Sequence, residues 1–87
     1  MSYFVYILIC SDNSYYVGFC SDLDRRLNEH NSGRGACYTR IRRPVSLVFK
    51  EEFNEKAMAK AREKQIKGWT REKKEALMKG IIKTKSK

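Results

Sequence analysis

A single histidine and three cysteines, none in a Cys-x-x-Cys pair, leave too few ligands for a structural zinc site. The thiols Cys10, Cys20 and Cys37 are also odd in number. That argues against a disulfide framework and for reduced cysteines in a cytoplasmic protein. Long apolar runs are missing as well. The most hydrophobic stretch, Tyr3 to Cys10, follows no basic segment and is too short for a bilayer span or a secretory leader. The expectation is therefore a soluble protein that does not enter membranes. Acidic residues are in deficit: 10 Asp and Glu stand against 19 Lys and Arg, a formal net charge of +9 on 87 residues. Such a positive field on one small domain draws polyanions, nucleic acid first and an anionic membrane surface second. The hydrophobic fraction of 41% suffices for one modest core.

Tyr3 to Ile9 and Tyr15 to Cys20 are rich in β-branched and aromatic residues, and Ser11-Asp12-Asn13-Ser14 between them is turn chemistry. They predict an antiparallel hairpin whose register depends on loop length. A five-residue loop pairs Ile9 with Tyr15, Leu8 with Tyr16 and Tyr6 with Gly18. One face then carries Val5, Ile7, Ile9, Tyr15, Val17 and Phe19, while Tyr6, Tyr16 and Gly18 share the other. A four-residue loop would place the two tyrosines on opposite faces. The five-residue loop is preferred because it gathers the apolar residues on one side.

Ser21 with Asp24 resembles a capping box that opens a helix, and Gly33 stops it. Leu23 and Leu27 face the core, and Arg26 and His30 fall on the same leaning face. Arg34 to Arg43 reads as a basic loop, and Val45 to Phe49 as a third strand. Asn54 is placed to cap a second helix over Glu55 to Lys67, with Met58, Ala59, Ala61 and Ile66 as its buried stripe. Thr70 is placed to cap a third helix, Arg71 to Lys79, with Leu77 inward. The fold class is α+β: a small three-stranded antiparallel sheet flanked by helices, in the order β-β-α-β-α-α. Residues 1–80 make one domain, and residues 81–87 read as a frayed basic tail.

Four features stand in order along this string. A tyrosine lies in the first strand and Tyr16-Val17-Gly18 in the second; Arg26-x-x-x-His30 follows on a helix, and Glu63 on a later one. Phe4-Val5-Tyr6 stands where GIY-YIG nucleases carry Gly-Ile-Tyr, and Tyr16-Val17-Gly18 resembles their Tyr-Ile-Gly. Arg25-Arg26-Leu27-Asn28-Glu29-His30-Asn31 looks like their first helix, and Gly33-Arg34-Gly35-Ala36 with Tyr38-Thr39-Arg40 is similar to small stand-alone bacterial members. The resemblance spans about Tyr3 to Leu77 and extends to the nuclease domain of the endonuclease that cuts branched DNA. The chain departs from the pattern at Phe4-Val5. It also has no Asn after Asn54, where many members use one, so that role is vacant or filled by another residue.

The resemblance implies a metal-dependent endonuclease that hydrolyses phosphodiester bonds, with DNA as the first substrate to test. It makes Arg26 the catalytic arginine and Glu63 the ligand of one Mg²⁺ or Mn²⁺. The chemistry fits. A guanidinium matches phosphate oxygens with a planar fork of donors, and hard cations take carboxylate oxygen. Tyr6 would take or relay the proton of the attacking water, provided Arg26 and the metal lower its pKa from about 10. Tyr16 would orient water or phosphate, His30 is a second group for proton transfer, and Gly18 leaves room beside Tyr6. Affinity would come from Arg34, Arg40, Arg42 and Arg43, with Tyr38 either stacking on a base or packed. Taken singly, these residues also fit plainer roles. The tyrosines suit any sheet, Arg26 could pair with Asp22 or Glu29, and Glu63 could join an exposed network with Lys60, Lys64 and Lys67. The competing function is a catalytically silent or partner-dependent nucleic-acid-binding module on the same fold, the partner being a protein that supplies substrate.

Overall fold

The computed structural model describes residues 2–79, so the expected basic tail at 81–87 lies outside the described residues. The elements are β1 (Tyr3–Ile9), β2 (Tyr15–Cys20), α1 (Leu23–Asn31), α2 (Cys37–Arg40), β3 (Ser46–Phe53), α3 (Lys56–Lys67) and α4 (Arg71–Met78). The three strands form an antiparallel sheet in the order β2-β1-β3. The expected string holds, with a single helical turn, α2, added inside the stretch expected to be a loop.

The hairpin has the preferred register. Ile9 pairs with Tyr15, Leu8 with Tyr16 and Tyr6 with Gly18. Asp12 sets the five-residue connection by accepting from the Ser14 amide at 3.0 Å and the Ser14 hydroxyl at 2.6 Å. Asn13 takes the positive φ, 68°, that a short polar side chain tolerates. This parity sorts the sheet into two packed faces. Val5, Ile7 and Val17 bury against Ala59 and Ile66 of α3 and Leu77 of α4. On the other face Tyr6, Leu8, Cys10, Cys20 and Val45 are buried, with Leu23 and Leu27 of α1 packed against them. Tyr6 thus sits in a covered layer.

Several local expectations are corrected. Asp22, not Ser21, caps α1: its carboxylate accepts from the Arg25 amide at 3.2 Å, because the helix starts one residue later than a box at Ser21 requires. Glu55, not Asn54, is the N-cap of α3, and it makes no side-chain cap bond. The inward stripe of α3 runs Ala59, Arg62, Glu63, Ile66, the i, i+3, i+4, i+7 set. Met58, 52% exposed, and Ala61 therefore face out. Strand β3 continues to Phe53, past the expected end at Phe49. Its Glu51 is half-buried where an apolar residue would be usual, and Arg62 satisfies it at 2.8 Å. Those side chains are 16% and 13% exposed for Arg62 and Glu51, so the pair is well screened from water. Thr70 does cap α4, accepting from the Lys73 amide at 3.2 Å, and Leu77 is buried.

Candidate active site

Tyr6 projects from the central strand toward β2, the strand at the sheet edge. Its ring crosses the backbone of Gly18. A Cβ there would overlap Tyr6 Cζ and Oη and lie 2.8 Å from Cε1. Any larger residue at position 18 would turn the phenol away, so the glycine is a requirement of this close approach. The phenol oxygen meets His30 Nε2 at 3.0 Å.

His30 is held from every side. It is 1% exposed, at the end of α1 and inward on the face carrying Leu23 and Leu27. Its Nδ1 lies 2.7 Å from the hydroxyl of Thr39, which is fully buried on α2. Tyr16 packs edge-on against the imidazole, centroids 5.2 Å apart. Gly35 lies so close that a Cβ there would overlap Nδ1 and come within 2.9 Å of Cα and Cγ. The two ends of the Tyr6–His30 bond are thus each shaped by a glycine.

The direction of these bonds follows from donor counting. The Thr39 hydroxyl has one proton and donates it to the Ala36 carbonyl at 3.0 Å. Toward His30 it can therefore only accept, which places the imidazole proton on Nδ1. Nε2 is then the acceptor, and Tyr6 donates to it. The chain runs Tyr6 O–H to Nε2, Nδ1–H to Thr39 Oγ1, and Thr39 O–H to Ala36 O. With its only proton committed, the phenol oxygen offers only lone pairs to another partner.

The electrostatics keep this chain neutral at rest. Burial raises the Tyr6 pKa well above the ordinary phenol range; the Tyr16, Cys20 and Glu63 charges add to it and Arg26 opposes it. The expectation that Arg26 lowers Tyr6 is correct in sign, but burial outweighs it. Burial also lowers the His30 pKa, with Arg26 adding and Glu29 opposing.

Arg26 Nε lies 3.6 Å from Glu29, and its side chain is 44% exposed, so the expected surface pair exists and the guanidinium still reaches solvent. It helps line a small polar cleft of about 230 Å³ with Cys20, Ser21, Asp22, Arg25 and Glu29. Glu63 is 20% exposed and paired with Lys67 at 3.0 Å. No group of three or more His, Cys, Asp or Glu able to hold a metal ion occurs among the described residues. The donor set is thus one carboxylate, which suits a hard cation that keeps waters and shares substrate phosphate oxygens.

The basic segment is more structural than its composition implies. Arg42 Nε is bound to Asp12 at 3.0 Å and an Arg42 terminal nitrogen to the Tyr38 carbonyl at 2.9 Å. Arg43 Nε donates to the Arg40 carbonyl at 2.9 Å, and another Arg43 nitrogen to the Asn31 carbonyl at 3.4 Å. Tyr38 is 37% exposed, yet its ring has protein partners: it stacks with Tyr16 at 6.0 Å under the Arg42 guanidinium, 3.9 Å from its centroid. Arg34 and Arg40 are exposed.

A family model described as the GIY-YIG catalytic domain matches residues 2–76. The chain belongs to the GIY-YIG family, whose domain is a nuclease type. A UPF0213 protein of Staphylococcus aureus (strain Mu3 / ATCC 700698) is 50% identical over 78 residues, 90% of this chain and 95% of that protein. The solution structure of a UPF0213 protein from Bacillus halodurans is similar at a TM-score of 0.60 with 46% identity. It covers 91% of this chain and 84% of that one. A protein from E. faecalis gives a TM-score of 0.64 at 40% identity, covering 93% and 86%. These relatives support the GIY-YIG fold along nearly the whole chain, including the three-stranded sheet. Within that fold, Tyr6, Tyr16, Gly18 and His30 converge as the sequence implies, while Arg26 lines the cleft beside Cys20 and Glu63 pairs with Lys67 on α3. Thr39 and Gly35 are the partners that sequence reasoning missed. Both lie in the Gly35-Ala36-Cys37-Tyr38-Thr39 stretch, where a hydroxyl and a glycine near the lone histidine were the available signal.

Proposed function

We propose that this GIY-YIG domain is a divalent-metal-dependent endonuclease of the cytoplasm, with DNA as its substrate. The observation that carries the reading is the polarised Tyr6–His30–Thr39 chain, ending in a phenol oxygen with lone pairs to offer. Tyr6 is 2% exposed at rest, so substrate binding has to admit a water beside the scissile phosphate, and that water donates to Tyr6 Oη. As it attacks phosphorus, its proton passes to Tyr6 and the Tyr6 proton passes to His30 Nε2. A P–O bond forms, the opposite P–O bond breaks, and His30 holds the proton as an imidazolium. No free phenolate is needed, which accords with a Tyr6 pKa raised by burial. Arg26 neutralises charge on the phosphate, and Tyr16 keeps the imidazole edge in place. Glu63 would hold Mg²⁺ or Mn²⁺, which when bound polarises the phosphate and stabilises the leaving oxygen. Arg34 and Arg40 contact the backbone, while Arg42, Arg43 and Tyr38 fix the platform that presents them. Residues 1–80 form the functional unit, and the lysines of α3 and α4 add phosphate contacts.

The second reading is a binding module that has lost turnover or awaits a protein partner that delivers substrate. The Glu63–Lys67 pair favours it, since the lysine competes for the carboxylate a metal needs. Cleavage of labelled single-stranded, duplex, flapped and branched substrates, with Mg²⁺, Mn²⁺ or chelator, separates the two. Metal-dependent cutting lost in Glu63→Ala and Tyr6→Phe supports the enzyme. Salt-sensitive binding without cutting, equal in all variants, supports the module.

A further inference from the structure

The most exposed large apolar side chain among the described residues is Ile41, 76% exposed. It stands between Arg40 and Arg42, where composition alone leads one to expect only phosphate contacts. Its backbone is fixed. Ile41 is the C-cap of α2, and the Arg42 carbonyl accepts from the Ser11 amide at 3.0 Å. The Asp12–Arg42 and Arg43–Arg40 contacts tie down the residues on either side. A rigid backbone therefore holds an isoleucine out into solvent. With Pro44 it forms the apolar part of an open concavity of about 660 Å³, whose rim carries Arg40, Arg43 and Asn31. The Asn31 amide group is occupied, donating to the Val45 carbonyl at 3.1 Å and accepting from the Val45 amide at 2.8 Å. The hollow thus offers an apolar surface and positive charge, with little to read the hydrogen-bonding edge of a base.

We propose that this hollow binds an unpaired nucleotide of the substrate, its base against Ile41 and Pro44 and its phosphate beside Arg40, within the positive field that Arg43 adds to the rim. The inference rests on the nucleic-acid reading above and narrows its substrate class. In continuous duplex the faces of the bases are covered by their neighbours, so an apolar wedge gains contact only where a base is unstacked. Ile41 lies two residues after Thr39, the hydroxyl that holds His30, so the hollow is built by the same segment that positions the histidine. The preferred substrates are then flapped, gapped or single-stranded nucleic acid, recognised by structure and not by sequence.

The test is binding by fluorescence anisotropy in chelator, with the whole chain. One probe is a continuous duplex and the other is the same duplex carrying a single-stranded flap. Ile41→Ser should weaken flap binding by about tenfold, leave duplex binding unchanged and keep the salt dependence. Arg40→Ala should weaken both and flatten the salt dependence by about one charge. Ile41 is solvent-exposed, and a thermal melt of Ile41→Ser should superimpose on wild type. Equal weakening on both probes, or no effect on the flap, overturns the proposal. So does a change in oligomeric state in Ile41→Ser, which would assign the hollow to a protein interface. A wild type that binds neither probe removes the nucleic-acid reading itself, an outcome distinct from binding that ignores Ile41.

Discussion

Replacing Thr39 by valine keeps the shape of a fully buried side chain and removes one oxygen. That oxygen accepts from His30 Nδ1 and donates to the Ala36 carbonyl, so both partners lose their bond. A buried N–H without an acceptor costs about 1–3 kcal/mol. The imidazole can avoid that cost by moving its proton to Nε2. It would then donate to Tyr6, and the phenol would turn its own proton toward the substrate. The bond between Tyr6 and His30 would survive with its direction reversed, and the lone pairs that receive the water's proton would be lost. At about 1.4 kcal/mol per factor of ten, the hydrolysis rate should fall by about 10- to 100-fold. Folding stability should fall by about 1–3 kcal/mol in urea titrations. Thr39→Ser restores the hydroxyl and should recover most of the rate. His30 is the sole histidine, so nitrogen NMR reads its tautomer without assignment ambiguity. Wild type should show the proton on Nδ1, and Thr39→Val a shift toward Nε2. If Thr39→Val cleaves at the wild-type rate with the proton still on Nδ1, the reasoning about direction is wrong, and Thr39 is a packing residue and not a positioning one.

Gly18→Ala places a methyl group into the Tyr6 ring, which His30 holds at its far end, so the overlap is not relieved by a simple rotation. Overpacking of this kind should cost about 1–3 kcal/mol and move the phenol from Nε2. A variant with unchanged urea stability and full cleavage would show that the ring is free to yield. Stability should also depend on pH through His30. Its pKa is lowered in the fold, so below the ordinary value of about 6.5 the unfolded chain takes up a proton that the folded chain resists. Stability is then complete above that pH and is lost as pH falls through the folded value. Calorimetric melts across this range should show a falling midpoint, and the part of that fall due to His30 should vanish in His30→Gln. A fall that persists in full in the variant would place its origin in other groups.

The hairpin register was legible because parity in a strand is unforgiving: shifting one residue moves Val5, Ile7 and Val17 out of the core together. The placement of Tyr6 opposite Gly18 followed from that alone. The α3 stripe was harder, because apolar residues marked Met58 and Ala61 while the helix buries Arg62 and Glu63 instead. The partner of Arg62, Glu51 on β3, is one that only the fold supplies, and Glu63 is half-covered while paired with Lys67 one turn on. The end of β3 was hidden by the same effect, since Lys50-Glu51-Glu52 does not look like strand until Arg62 satisfies Glu51.

The basic segment illustrates the deeper limit. Composition counts Arg40, Arg42 and Arg43 as equivalent cations, but a guanidinium has five donors and can serve the backbone as readily as a phosphate. Arg42 and Arg43 donate to carbonyl groups and, for Arg42, to Asp12, and so build the rigid turn on which Thr39 and Ile41 sit. Their charge still contributes to the field that attracts a polyanion, while their geometry is committed to the fold. Neutralising either should therefore act twice, on affinity and on the position of Thr39 against His30. Arg34 and Arg40 are exposed and should act on affinity alone. The same positive count thus divides into residues that draw the substrate in and residues that hold the proton chain where the substrate arrives.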